Sequence, residues 1–112
     1  MGIVYVIGNT KTKRFYVGKT DRPLIHRENE HFRALIHHRH KVEQMQIDYD
    51  KYGIESFFAR ELGTFEGSEL MRMESFMMSV LRTKDIRYGY NYKDVMACKG
   101  KYSVLHRRNM EA

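Results

Sequence analysis

Two short apolar runs, IVYVI and RFYVG, lie near the start of the chain and are separated by GNTKTK. β-Branched and aromatic residues joined by turn formers and charge read as a β-hairpin, which commits the chain to an antiparallel sheet. If a four-residue loop, Asn9 to Thr12, joins the strands, Tyr5 stands directly opposite Tyr16 on one face, with Ile3, Ile7 and Gly18 beside them. Gly18 would keep that strand end bare and let a substrate backbone approach. Cross-strand tyrosine pairs also serve plain packing, so the hairpin alone leaves the purpose of this one open.

The next stretch, DRPLIHRENEHFRALIHHRH, has Asp21 placed to cap a helix starting near Arg22 with Pro23 in its first turn. Along that helix Leu24, Arg27, Glu28, His31 and Leu35 recur at helical spacing, so Arg27 and His31 are one turn apart on a partly apolar stripe. A snorkelling arginine and a satisfied core histidine would account for them without function. The run His37 to His40 matches no zinc-ligand spacing and reads as a basic, solvated helix end.

A second helix spans 41–52, with Val42, Met45, Tyr49 and Tyr52 on one side and Gly53 as its stop. ESFFARELGTF gives a third strand centred on Phe57 to Leu62, and Gly67-Ser68 opens a third helix. In that helix Leu70, Met73, Met77 and Leu81 form the apolar stripe, and Glu74 falls on it. Burying an unpaired carboxylate is expensive, so Glu74 should meet Arg27 or another cation, or hold a metal at the edge of the core. The fold class that follows is mixed α/β: a three-stranded antiparallel sheet led by the hairpin, with three helices packed around it and the site on the sheet face beneath the first and third.

With 112 residues the chain suits one domain, read here as residues 1–92, followed by a short basic tail, 93–112. Twenty Lys and Arg against fourteen Asp and Glu give a formal charge of +6, which favours a polyanionic partner such as DNA or RNA. No long apolar run, lipidation motif or signal-like region is visible, and the expectation is a cytoplasmic protein with no membrane partner. The lone Cys98 can form neither an internal disulfide nor a thiol-based zinc site.

Taken together, Gly2-Ile3-Val4-Tyr5, Tyr16-Val17-Gly18, Arg27, His31, His40, Glu74 in MESF and Gly89-Tyr90-Asn91 resemble, in order and spacing, the motifs of the GIY-YIG nuclease family. The resemblance runs from Gly2 to Asn91 and is nearest to the homing endonucleases, which points to a phage or other mobile element. The first motif departs from the family pattern by a glycine displaced one place. The resemblance implies DNA as substrate and Glu74 as ligand of one divalent cation per site, Mg²⁺ or Mn²⁺, bound with waters and a phosphate oxygen. Arg27 would grip the scissile phosphate. Tyr5 and Tyr16 would flank the attacking water, one of them as general base after losing its proton to His31 or His40 or under the field of the metal; Lys19 stands ready to assist by its charge. Asn91 would close the site by hydrogen bonds.

Phosphodiester hydrolysis accounts for the same residues independently, since it needs a metal, a cation on the nonbridging oxygens and a base beside an in-line water. No Ser/His/Asp constellation or phosphate-cradling glycine loop offers another chemistry. The tail is too short for a familiar DNA-reading module, so the expectation is that a homo-oligomer or a targeting partner protein supplies recognition, or that the enzyme cuts with low sequence specificity, or that the chain is a catalytic fragment. The rival reading is a noncatalytic nucleic-acid-binding domain contacting phosphates through Lys11, Lys13, Arg14, Arg22, Arg33, Arg39 and Lys41. Of these, Lys13 and Arg14 on the hairpin, with Gly18 and Lys19, are the expected substrate contacts in the nuclease reading too. Against the rival stands Glu74, whose charge repels phosphate unless a metal intervenes.

Overall fold

The computed structural model describes residues 1–92; the predicted tail 93–112, with Cys98, lies outside the described residues. Strands β1 (Gly2–Asn9), β2 (Phe15–Thr20) and β3 (Phe57–Phe65) form one antiparallel sheet in the order β2-β1-β3. Helices α1 (Leu24–Ile36) and α2 (Glu43–Tyr52) lie between β2 and β3 in sequence, and α3 (Ser68–Leu81) follows β3. The mixed α/β class, the three strands and the three helices are those expected from the sequence.

The hairpin register differs from the expected one. Tyr5 pairs with Gly18, and Tyr16 pairs with Ile7. Asn9 causes the shift: it belongs to the strand rather than the loop, donating its backbone N–H to the Arg14 carbonyl at 3.0 Å. Its side-chain oxygen accepts the N–H groups of Lys11 and Thr12 at 2.8 and 2.9 Å, an Asx-type closure that fixes the loop one residue later. Moving the loop by one shifts the register by two, and side chains alternate with period two. Tyr5 and Tyr16 therefore still share a face, as diagonal neighbours with ring centroids 6.2 Å apart.

Helix α1 begins at Leu24, later than expected, and Asp21 does not cap it. Pro23 sits at ψ 143°, an extended conformation, and the helix has no side-chain cap. Thr20 Oγ1 instead accepts the Arg22 N–H at 3.2 Å, holding the turn between strand and helix. Helix α2 stops at Gly53, where φ is +82°, a left-handed position that glycine reaches without strain.

One face of the sheet carries Tyr5 and Ile7, which pack with Leu35 of α1, Met45 of α2, Phe57 and Tyr90 into the main core. The opposite face carries Val4, Val6 and Val17 and is covered by α3, whose Leu70 lies over Gly2. The expectation of one site beneath both helices on one face thus needs correction. Helices α1 and α3 lie on opposite faces, and any group shared between them meets at the outer edge of β2.

That edge is covered next by the segment after α3. The Phe15 N–H donates to the Tyr88 carbonyl at 3.1 Å, and the Tyr90 N–H donates to the Phe15 carbonyl at 2.9 Å, a short parallel pairing. Asn91 continues it with its side chain: Oδ1 accepts the Val17 N–H at 2.8 Å and Nδ2 donates to the Val17 carbonyl at 3.0 Å.

Candidate active site

A cleft of about 700 Å³ opens beside β2 and is lined by Tyr16, Arg27, His31, His40, Glu74 and Asn91, among others. Six side chains singled out in the sequence therefore converge. Tyr5 does not line the cleft; it is fully buried behind Tyr16. Gly18 explains how it fits, because a Cβ there would come within 2.5 Å of the Tyr5 hydroxyl. The expectation that Gly18 leaves room for a substrate backbone is thus corrected: the space it clears holds the Tyr5 ring.

Behind the cleft runs a chain of hydrogen bonds whose direction is fixed at one end. The Val42 backbone N–H, which can only donate, lies 3.0 Å from His40 Nδ1. Burial, aided by Lys41, lowers the His40 pKa to about 4, so the ring is neutral and its proton is on Nε2. That atom is 2.8 Å from His31 Nδ1, which must then accept, leaving the His31 proton on Nε2, 3.3 Å from the Tyr5 hydroxyl oxygen. Burial first, then His40 and Arg27, lower the His31 pKa to about 3. The HHRH run expected to be solvated divides accordingly: His37 and His38 are exposed, while His40 turns inward to stack on His31.

Tyr5 receives a second donor, Arg27 Nε, at 3.4 Å. Burial nevertheless raises its pKa to about 12, with Tyr16 adding to the shift. Tyr16 is raised by burial as well and by the Glu74 charge, against the opposing pull of Arg27 and of the neighbouring Tyr5 hydroxyl. The two phenols are therefore protonated at neutral pH, and Tyr5 is oriented to donate toward Tyr16. The histidines, both neutral, fix ring positions and proton direction rather than charge.

At the rim the groups are charged. Glu74, 15% exposed in its side chain, accepts Lys19 Nζ at 3.1 Å; it meets a cation, though Lys19 rather than Arg27. Lys19 belongs to the sheet face opposite Tyr16, and its ammonium is engaged by Glu74 rather than by that phenol. Arg27 Nη1 donates to Glu30 Oε1 at 2.6 Å. Arg39, Lys41 and Lys84 add positive charge around the cleft.

Among the described residues no group of three or more His, Cys, Asp and Glu is arranged to hold a metal. A lone carboxylate beside an open cleft suits a hard cation that keeps most of its waters, such as Mg²⁺, and does not suit zinc, which wants a near-complete protein cage. Glu74 fits that limited role.

Two of the expected substrate contacts stand apart. Lys13 lies in the hairpin loop at φ +63° and does not line the cleft. Arg14 is engaged internally: its Nη1 lies 3.1 Å from both Asp48 carboxylate oxygens and its Nε donates to the Ile86 carbonyl at 2.7 Å. A guanidinium so committed is not available to phosphate, which corrects its assignment as a substrate contact. The partner, Asp48, escaped the sequence reading, although its spacing from Gln44 on α2 gave a signal; Gln44 Nε2 donates to it at 2.9 Å.

No protein-family profile and no curated protein sequence matches the chain. Among solved structures it is similar to the catalytic domain of the homing endonuclease I-TevI, with a TM-score of 0.69 and 25% identity over 80% of this chain and 96% of that one. A point variant of the catalytic domain of the intron endonuclease I-TevI also aligns at a TM-score of 0.69, with 26% identity over 82% and 94% of the two chains. The chain has the GIY-YIG nuclease fold. Within the GIY-YIG fold, the cleft beside β2 is where Tyr16, Arg27, His31, His40, Glu74 and Asn91 of the motifs gather, and Asn91 anchors the segment that borders it. No helix among the described residues is long and apolar enough to cross a membrane.

Proposed function

We propose that the protein is a DNA endonuclease that hydrolyses phosphodiester bonds with the help of a divalent cation. The observation that carries this reading is the convergence of Arg27, Glu74, Tyr16 and Asn91 on one cleft of a GIY-YIG fold. Glu74 would hold Mg²⁺ or Mn²⁺ together with waters and a phosphate oxygen, and the cation would offset negative charge building on the phosphate. Arg27 donates to the nonbridging oxygens, where a guanidinium keeps its charge and matches oxygen geometry.

Of the two phenols, Tyr16 is the one that meets solvent in the cleft, and it is the group assigned to the attacking water. In its protonated form it positions that water; ionised, it takes the water's proton as the oxygen attacks phosphorus and the leaving oxygen departs. Tyr5 acts from behind. Its hydroxyl, held by His31 and Arg27, donates toward Tyr16 and favours the ionised form, while His40 and the Val42 N–H keep His31 in the tautomer that serves Tyr5. Asn91 positions Val17, and with it the neighbouring Tyr16, without taking part in proton transfer.

DNA as partner and an intracellular setting belong to the same proposal, as do the tail 93–112 as an appendage and a second copy or a targeting protein for recognition. The test is cleavage of supercoiled plasmid with Mg²⁺ or Mn²⁺, run beside EDTA and Glu74→Ala. Nicking or linearisation that needs the metal and is lost in Glu74→Ala supports the nuclease. Salt-sensitive DNA binding without cleavage, unchanged in Glu74→Ala, would identify a binding module instead.

A further inference from the structure

The guanidinium assigned to the phosphate is already engaged. Glu30 accepts Arg27 Nη1 on one oxygen at 2.6 Å and Arg22 Nη2 on the other at 2.7 Å. A carboxylate with each oxygen on a different arginine reproduces the charge and the fork contacts that two nonbridging phosphate oxygens would make. The three side chains are between 31% and 48% exposed, so these pairs are open to exchange with a competing anion.

Arg27 also sits where two hollows meet. With Glu30 it lines the main cleft, and beyond it a second hollow of about 370 Å³ is lined by Lys19, Asp21, Arg22 and Arg27. Positive charge thus continues from Arg39 and Lys41 in the cleft, through Arg27, to Arg22 and Lys19. The spacing of charge along this path suits a polyanion with successive phosphates better than an isolated anion.

We propose that Glu30 is a built-in stand-in for phosphate: it holds Arg22 and Arg27 together at the cleft mouth, and nucleic-acid backbone displaces it, one phosphate to each arginine. The idea rests on the reading of Arg27 as a phosphate-binding group. It assigns Glu30 as a residue that weakens binding and makes it selective for an extended backbone, and Arg22 as a second phosphate contact outside the cleft.

The test is fluorescence anisotropy of a labelled DNA duplex binding the full chain in EDTA, so that cleavage does not intervene. Glu30→Gln should tighten binding about two- to fivefold, the scale of an exposed ion pair. Glu55→Gln removes one negative charge from an exposed position that lines neither hollow and makes no ion pair among the described residues, and it should change affinity less than twofold. In an Arg27→Ala background the gain from Glu30→Gln should shrink toward the Glu55→Gln value, because coupling between contacting residues is lost with either one. A gain equal to that of Glu55→Gln, or one that persists without Arg27, overturns the proposal while leaving Arg27 its phosphate role. Wild-type affinity in Arg27→Ala alone removes that role, and the proposal with it.

Discussion

Two arginines in this molecule each belong to a set with a carboxylate and a tyrosine, with opposite results. Arg14 pairs with Asp48, which is 3% exposed and also accepts the Tyr90 hydroxyl at 2.6 Å, Gln44 Nε2 at 2.9 Å and Thr12 Oγ1 at 3.3 Å. Arg27 meets the exposed Glu30 and, at a long 3.4 Å, the buried Tyr5. In the first set the carboxylate's lone pairs are filled and water is excluded, so removing a member leaves an uncompensated buried charge. In the second, the ionic contact faces a cleft and exchanges readily. The same residue types make a fastening in one place and a binding edge in the other, according to how completely their partners are satisfied.

The comparison is broken most directly by alanine at each arginine. Arg27→Ala, like Glu74→Ala, should lower the rate of plasmid nicking about a hundredfold or more, the usual cost of a group that stabilises developing charge. Its chemical denaturation midpoint should hardly move. Arg14→Ala should do the reverse, losing on the order of 2 kcal/mol of stability while the folded fraction cuts normally. Loss of cutting in stable Arg14→Ala protein would show that the Asp48 set is more than a fastening.

The two phenols sharpen the contrast further. Tyr16→Phe should reduce the single-turnover rate about a hundredfold and Tyr5→Phe about tenfold, within the range for positioned proton-transfer groups. Equal losses would remove the distinction between a cleft-facing and a supporting tyrosine. Since burial raises both phenol pKa values, the wild-type rate should still be climbing at pH 9, and a plateau below pH 7 would assign the base elsewhere.

The histidines predict a stability effect. Their folded pKa values, about 3 and about 4, lie below the 6.5 usual for histidine, so below that pH the unfolded chain binds more protons. Stability is complete above pH 6.5 and falls as acid is added, by on the order of 3 kcal/mol for each histidine at pH 4. His40→Gln should flatten that loss in denaturation curves recorded across the range; an unchanged slope would mean that other groups govern it. The smallest effect belongs to Asn91→Ala, about 1 kcal/mol for its two bonds to Val17, read from the same denaturation curves.

The hairpin, the three helices and the shared face of Tyr5 and Tyr16 were legible because alternation and helical spacing survive small shifts in boundary. The exact register was not, because it depends on the Asn9 side chain reaching back to Lys11 and Thr12. Nor does an apolar stripe say which face of a sheet its helix will cover, which is why α1 and α3 could not be separated in advance. Arg14 and Arg27 look alike as letters; Asp48, far along the chain, decides between them. Tyr16, Arg27, His31, His40, Glu74 and Asn91 do gather at one edge, yet the pairing of Arg27 with Glu30 and of Glu74 with Lys19 became visible only as contacts.

The pairing of Tyr88–Asn91 with β2 has a consequence beyond the cleft. An outer strand whose amides and carbonyls at Phe15 and Val17 point outward would be a template on which another chain could lay a strand. Here the chain's own backbone occupies the first of these places and one asparagine side chain the second. Asn91 thereby acts as a terminator of sheet growth, and a protein that loses its amide gains a free seam for self-association.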